Sequence, residues 1–279
     1  MWREGLEKEF KQTFINRSAT GLMMVIPFLG LIYFANTFLT TIAIVILSIV
    51  VYHEWSGLAK KRNLALDASF IILFILGVLI FNVFFLYNLT ALLAVFWVIF
   101  SIFLFINKLG SLNGSIITFD NNILKLLVIS GFLSSLLLLI QIEEINHLLI
   151  LIIIVNTSLV DTFAYLSGSR FGKTPLLKNI SPNKTLEGFF GGMTISLIFA
   201  LLMSYLYQLP TSMIFIISFS ALFSFVGDYF MSYLKRRGGL KDTGSILPGH
   251  GGILDRIDSH LSSVTIFTFL YLTFQISGI

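Results

Sequence analysis

Cysteine is absent from this 279-residue chain, so disulfides, thiolate ligands and thiol nucleophiles are excluded. Charge is scarce. Only 11% of residues are Asp, Glu, Lys or Arg, against about 25% in ordinary soluble domains, and a soluble globular fold is excluded on that ground. Proline is rare as well, at five residues, and Pro27 is the only one inside an apolar run. The paired broken helices expected of a transporter or flippase therefore have no support. Acids are outnumbered 14 to 18 by Lys and Arg, for a net charge of +4. That excess is too small to argue for nucleic acid and suits anionic lipid headgroups and phosphates instead. No small-residue cleavage site follows the basic N-terminal residues, and no repeat or low-complexity tract is visible.

What remains is hydrophobic: 56% of the chain, with a mean hydropathy of +0.93. The fold class expected is all-α, a polytopic integral membrane protein. A hydrocarbon core of about 30 Å needs roughly 20 apolar residues per helix. On that measure about nine transmembrane helices are expected, near 21–36, 37–52, 68–86, 89–107, 123–140, 146–166, 189–207, 212–230 and 261–277. With nine spans and the N-terminus inside, all 18 Lys and Arg fall on the cytoplasmic side, Lys125 at a helix end among them. An eight-span reading would split the basic clusters. The organisation expected is a cytoplasmic amphipathic segment (1–20), N-terminal transmembrane helices (21–140) and a C-terminal transmembrane catalytic region (141–279). The other face keeps short turns such as Tyr87-Asn88.

Three polar stations interrupt the apolar C-terminal half. Asp161 is ionisable inside a span, which costs a few kcal/mol and implies a cavity or a partner; Arg170 or Lys173 would serve as a structural partner. Next comes Ile180 to Gly192, ISPNKTLEGFFGG. Ser181-Pro182 predicts a helix start, and Lys184 and Glu187 would then share a face, as a phosphate site or as a surface ion pair. Gly188, Gly191 and Gly192 would allow close helix packing.

The third station holds Asp228 in the eighth span and the run from Ser232 to Asp258, with five of the chain's 18 cations and six glycines. Asp228 with Ser232 and Asp255 with Asp258 each lie one turn apart, two pairs of hard oxygen donors suited to Mg²⁺. Those acids would otherwise neutralise Lys235, Arg236 and Arg256. The Pro248–Gly252 loop places one imidazole, His250, among glycines whose backbone can approach a ligand closely.

Ser232, Lys235, Arg236, Lys241, Asp242, Gly244, Pro248, His250, Gly251, Gly252, Asp255, Arg256 and Asp258 stand at the spacing of the signature of the phosphatidate cytidylyltransferase (CDP-diacylglycerol synthase) family, which the chain resembles. The likeness extends to SPNKTLEG, to Asp161–Tyr165 and, more weakly, to His53-Glu54-Trp55. Met231 departs from it, since many relatives carry Glu there. The resemblance implies transfer of CMP from CTP to phosphatidic acid, giving CDP-diacylglycerol and pyrophosphate, with Mg²⁺ required and a second, monovalent cation left open. It implies catalytic roles for Asp228, Lys235, Arg236, Lys241, Asp242, His250, Asp255 and Asp258. Substrate binding would fall to Ser181, Lys184, Glu187, Ser232, Gly249, Gly251, Gly252 and Arg256. Asp228 and Asp255 would lead the metal ligands, with Asp258 and Asp161 behind them. The partners expected are CTP, phosphatidic acid and membrane lipids at the inner or plasma membrane, without nucleic acid and with a homodimer left open.

Overall fold

The structure, a computed structural model, describes residues 37–60, 69, 83–106, 117–141, 146–177, 180–244 and 251–277. The segment 1–20, the span expected at 21–36, most of that at 68–86, and Pro248, Gly249 and His250 lie outside the described residues. Among those described, seven helices and one hairpin follow in order: α1 (Thr37–Leu58), α2 (Val83–Phe105), α3 (Asn122–Ile140), α4 (Asn146–Phe171), β1 (Pro175–Leu177), β2 (Ser181–Thr185), α5 (Leu186–Leu206), α6 (Thr211–Gly238) and α7 (Leu254–Ser277). Six, α1 to α6, are long and apolar enough to cross a membrane. The seventh carries Asp255, Arg256 and Asp258 in its first two turns.

Several helices outrun the hydrocarbon. With 28 residues, α6 is about 42 Å long at about 1.5 Å per residue, against a core of about 30 Å. It continues past the expected end at 230 as far as Gly238, where Gly239 closes it at φ +70°, a left-handed conformation that glycine adopts without a Cβ penalty. In the same way α4 runs on to Phe171 and α7 begins at Leu254. Lys235 and Arg236, Asp255 and Asp258 thus ride on helix extensions rather than on a loop.

Two expectations are corrected here. The turn placed at Tyr87-Asn88 is helical: α2 runs through it, and Asn88 satisfies its amide by donating to the Phe84 carbonyl at 2.7 Å. The helix start placed at Ser181-Pro182 is strand instead. Residues 181–185 pair antiparallel with 175–177, in register Pro175 with Thr185 and Leu177 with Ser181. The helix begins one station later, where the Thr185 hydroxyl caps it by accepting the Gly188 amide at 3.1 Å.

Packing has two characters. Between α4 and α5 it is close because side chains are missing: a Cβ on Gly188 would stand 2.7 Å from the Ala164 carbonyl, and one on Gly191 would overlap the Ser167 side chain. Around α6 it is aromatic. Phe230 meets Trp97 at 5.1 Å and Phe100 at 5.2 Å edge-on and Trp55 at 6.3 Å in a tilted pair, and Trp55 in turn meets Phe119 edge-on at 5.6 Å. Each such pair contributes roughly 0.5–1.5 kcal/mol beyond its burial. Together they fasten α6 to α1 and α2, while α3, the most deeply buried helix, packs against α1, α2, α4 and α7.

Candidate active site

The extended helix ends and the hairpin converge at one end of the bundle. From α4 comes Asp161, from α6 Asp228, from α7 Asp258 and from β2 Lys184. Asp161 and Asp258 each lie within electrostatic reach of Asp228 and of Lys184. The Lys184 ammonium forms an ion pair with Asp228 Oδ2 and sits 4.3 Å from the centre of the Tyr229 ring. Asp258 Oδ1 accepts the Ser259 amide at 2.8 Å. Gly227 sets the spacing of this group, since any Cβ there would strike the Asp258 carbonyl and the Ser262 hydroxyl of α7. Asp161 therefore faces the other acids, and the partnership considered with Arg170 does not form; that guanidinium lies over Phe171.

Lys184 and Glu187 do not share a face, because the strand ends between them. Lys184 reaches across to α6, whereas the Glu187 carboxylate accepts the Thr174 amide at 3.3 Å and ties the hairpin to the first turn of α5. Ser181 sits at the far end of β2, paired with Leu177.

A second cluster holds the described residues at the two ends of the stretch between α6 and α7, around Thr243 and around Gly252. Asp255 accepts Lys235 Nζ at 2.7 Å on Oδ1, and the amides of Thr243 at 2.7 Å and Gly252 at 3.2 Å on Oδ2. Asp255 precedes the apolar part of α7. Burial works against its charge, but the Lys235 ammonium and the Thr243 and Gly252 amides outweigh it and hold the carboxyl below its usual range. Both oxygens of Asp255 are thus engaged, Oδ1 by Lys235 of α6 and Oδ2 by the Thr243 and Gly252 amides. The other side of the loop is gripped by a residue that sequence reasoning gave no role. Glu54, on α1, accepts the Thr243 hydroxyl at 2.6 Å, the Ile253 amide at 2.7 Å and the Leu254 amide at 3.2 Å.

These contacts explain two glycines. Gly251 has φ +80°, and a Cβ on it would stand 2.9 Å from Asp255 Oδ2; one on Gly252 would overlap Glu54 Oε1. Both make room for carboxylates, and the Gly252 amide is already used. Arg236, Lys241, Asp242 and Arg256 are exposed and Ser232 is half-buried. Met231 is wholly buried in the apolar core, a setting that suits a thioether and would penalise an unpaired carboxylate.

Among the described residues no three of His, Asp and Glu form a ready cage for a metal ion. Mg²⁺ does not ask for one, since it binds through one or two carboxylates and keeps water and substrate phosphate in its shell. The oxygens of Asp228, Asp258 and Asp161, three acids around Lys184 with Lys235 also within reach of Asp258, are donors of the right kind.

Comparison with known proteins adds to this geometry. Residues 15–274 match the model of the cytidylyltransferase family. Among individual proteins the chain is 45% identical over 118 residues to "Phosphatidate cytidylyltransferase" of Bacillus subtilis, covering 41% of this chain and 44% of that one. It is 42% identical over 130 residues to "Phosphatidate cytidylyltransferase" of Aquifex aeolicus (46% and 49%), and 47% identical over 104 residues to "Phosphatidate cytidylyltransferase 5, chloroplastic" of Arabidopsis thaliana (36% and 26%). The matched part of the chain spans less than half the length of these relatives.

The Asp255 clamp is testable. Because its folded-state value is depressed, its contribution is fully present above the ordinary carboxylate value of about 3.9 and is lost as pH falls through the folded-state value. Asp255→Asn removes it at every pH and strands Lys235. Trypsin should then cut after Lys241 at pH 7 at least about tenfold faster than in the parent, the effect of ~1.4 kcal/mol of local opening. An unchanged cleavage rate would show that the loop is held without Asp255.

Proposed function

Given that the chain belongs to the cytidylyltransferase family, we propose that it transfers CMP from CTP to phosphatidic acid, forming CDP-diacylglycerol and pyrophosphate in phospholipid synthesis. The observation that carries this reading is the meeting of Asp161, Asp228, Asp258 and Lys184 at the end of a membrane bundle. In the proposed reaction an oxygen of the lipid phosphate forms a bond to the α-phosphorus of CTP. The bond from that phosphorus to the bridging oxygen breaks, and its electron pair leaves with pyrophosphate.

Two polyanions have to approach, so the problem is positioning and charge neutralisation rather than proton removal. The nucleophile is already an oxyanion and needs no general base. Lys184 is the inner cation, and an arriving phosphate would take its ammonium from Asp228. The exposed Arg236, Lys241 and Arg256 would hold outer phosphates, and His250 would position a phosphate or the leaving group. Mg²⁺, when held by Asp228 and Asp258 with Asp161 beside them, would supply further neutralisation of the phosphates. Asp255, paired with Lys235, would hold Thr243 and Gly252 beside them.

Purified protein in lipid–detergent micelles should release pyrophosphate only when CTP, phosphatidic acid and Mg²⁺ are all supplied. Release without the lipid, or with another lipid phosphate in preference, would overturn the assignment. Asp228→Asn should lower turnover by at least about 100-fold, the scale of losing one preorganised charge-stabilising group; a near-normal rate would remove Asp228 from the site.

Lys184→Ala separates binding from chemistry. A cation that holds phosphate equally in the ground and transition states affects KM, so the apparent KM for CTP or for phosphatidic acid should rise with a smaller change in kcat. Unchanged KM values with a lower thermal midpoint would leave Lys184 as a structural partner of Asp228.

The proposed orientation places the N-terminus and the acid cluster in the cytoplasm of a plasma-membrane protein, as the distribution of its cations favours. The chain has no native thiol, which makes single cysteines unambiguous. In intact cells Thr211→Cys should react with an impermeant maleimide and Ser169→Cys should not; the reverse pattern would invert the topology.

A further inference from the structure

The grip on the α6–α7 stretch comes from two directions. Asp255 holds it from within, whereas Glu54 reaches it from α1, 199 residues before Ile253 in the chain. Glu54 is 5% exposed, and a carboxylate so buried would be costly without donors. It has three, spread over both oxygens: the Thr243 hydroxyl and the Leu254 amide on Oε1, the Ile253 amide on Oε2. Two of these donors are backbone amides at the start of α7, groups with no carbonyl partner in the preceding turn and at the positive end of the helix dipole. Glu54 is therefore the N-terminal cap of the helix that carries Asp258, supplied from elsewhere in the fold.

The surroundings admit little else. Gly252 has no space for a side chain because Glu54 and the Thr243 hydroxyl fill it. Thr243 is shared: its amide goes to Asp255 and its hydroxyl to Glu54. Beside Glu54, Trp55 is fully buried against Phe119 and Phe230, so the α1 backbone at this point is fastened to α6, two residues from Asp228.

We infer that Glu54 is a positioning residue: it fixes the first turn of α7 and Thr243 relative to α6, and so sets where Asp258 stands with respect to Asp228. This rests on the proposed reaction for its kinetic consequence, though the clamp itself does not. A carboxylate is required, since an amide at this position would turn a donor toward the Ile253 amide or toward Thr243 and Leu254.

Two measurements test it. Hydrogen exchange, on substrate-free protein in detergent, should show the Ile253 and Leu254 amides protected in the parent and exposed in Glu54→Gln. Parent-like protection in the variant would overturn the clamp. Kinetics, run well below each variant's thermal midpoint and normalised to folded protein, should show kcat for Glu54→Gln lowered about 10- to 100-fold, the scale expected of small misplacements of reacting groups. Any rise in either KM should be smaller than the loss in kcat, because Lys184, the inner cation, stands on β2, outside the segment that Glu54 holds. Thr243→Val should show the same kind of loss at smaller size, and Thr243→Ser, which keeps the hydroxyl, should restore the rate. The threonine pair decides the kinetic question if Glu54→Gln fails to fold. A full kcat per folded molecule would reduce Glu54 to a stabilising role, and a raised KM with unchanged kcat would make it a substrate contact; either outcome overturns the inference. If the parent itself does not turn over CTP with phosphatidic acid, the proposed reaction fails while the exchange data still decide the clamp.

Discussion

Charge buried in an apolar bundle is the constraint on which this architecture depends. A carboxylate away from water survives only where donors or cations meet it, and Glu54, Asp255 and Asp228 follow that rule by different means. Glu54 takes three neutral donors, Asp255 takes an ammonium and two amides, and Asp228 takes an ammonium that arrives on a strand. Since one segment cannot supply so many partners, the polar end of the molecule has to be assembled from α1, α4, the hairpin, α6 and α7. Helices that continue beyond the hydrocarbon provide the stiffness this assembly needs.

Two kinds of apolar contact then fix the distances. Aromatic rings hold α6 from one direction, where Phe230 is wedged among Trp97, Phe100 and Trp55. Missing side chains bring its neighbours in, with Gly227 allowing α7 to approach beside Asp228 and Asp258. A bulky interface resists sliding, and a bare one permits close approach. Acids that repel one another are kept together because the packing of the helices that bear them does not yield.

Much of this was legible in the sequence, and the parts that were not have physical reasons. Asp161 and Asp228 stand out because ionisable groups in apolar runs are rare, and Asp258 by its place one turn after Asp255; the structure brings the three within electrostatic reach of one another. Helix ends were misjudged because hydropathy measures the hydrocarbon and not the helix, as at α6, which continues eight residues past its apolar stretch. The hairpin was missed because Ser-Pro is also a helix-start signal; its pairing with residues 175–177 is tertiary information. Gly251 and Gly252 also make room for carboxylates of Asp255 and Glu54, a reason for glycine that lies in tertiary contacts. Glu54 carried only the faint signal of an acid in an otherwise apolar stretch next to His53 and Trp55. Its role depends on amides near residue 253, which no local pattern contains.

That separation has a consequence in time. Ribosomes add about 5–20 residues per second, so the amides that Glu54 accepts are made roughly 10 to 40 s after Glu54 itself. During that interval α1 holds a carboxylate with no partner of its own, and the least costly place for it is the water-facing edge of the bilayer rather than the bundle interior. Glu54 can take up its final partners only when the start of α7 arrives. Assembly of the acid cluster is thereby tied to the arrival of the last described helix, and a partly synthesised chain has no means of forming the site early.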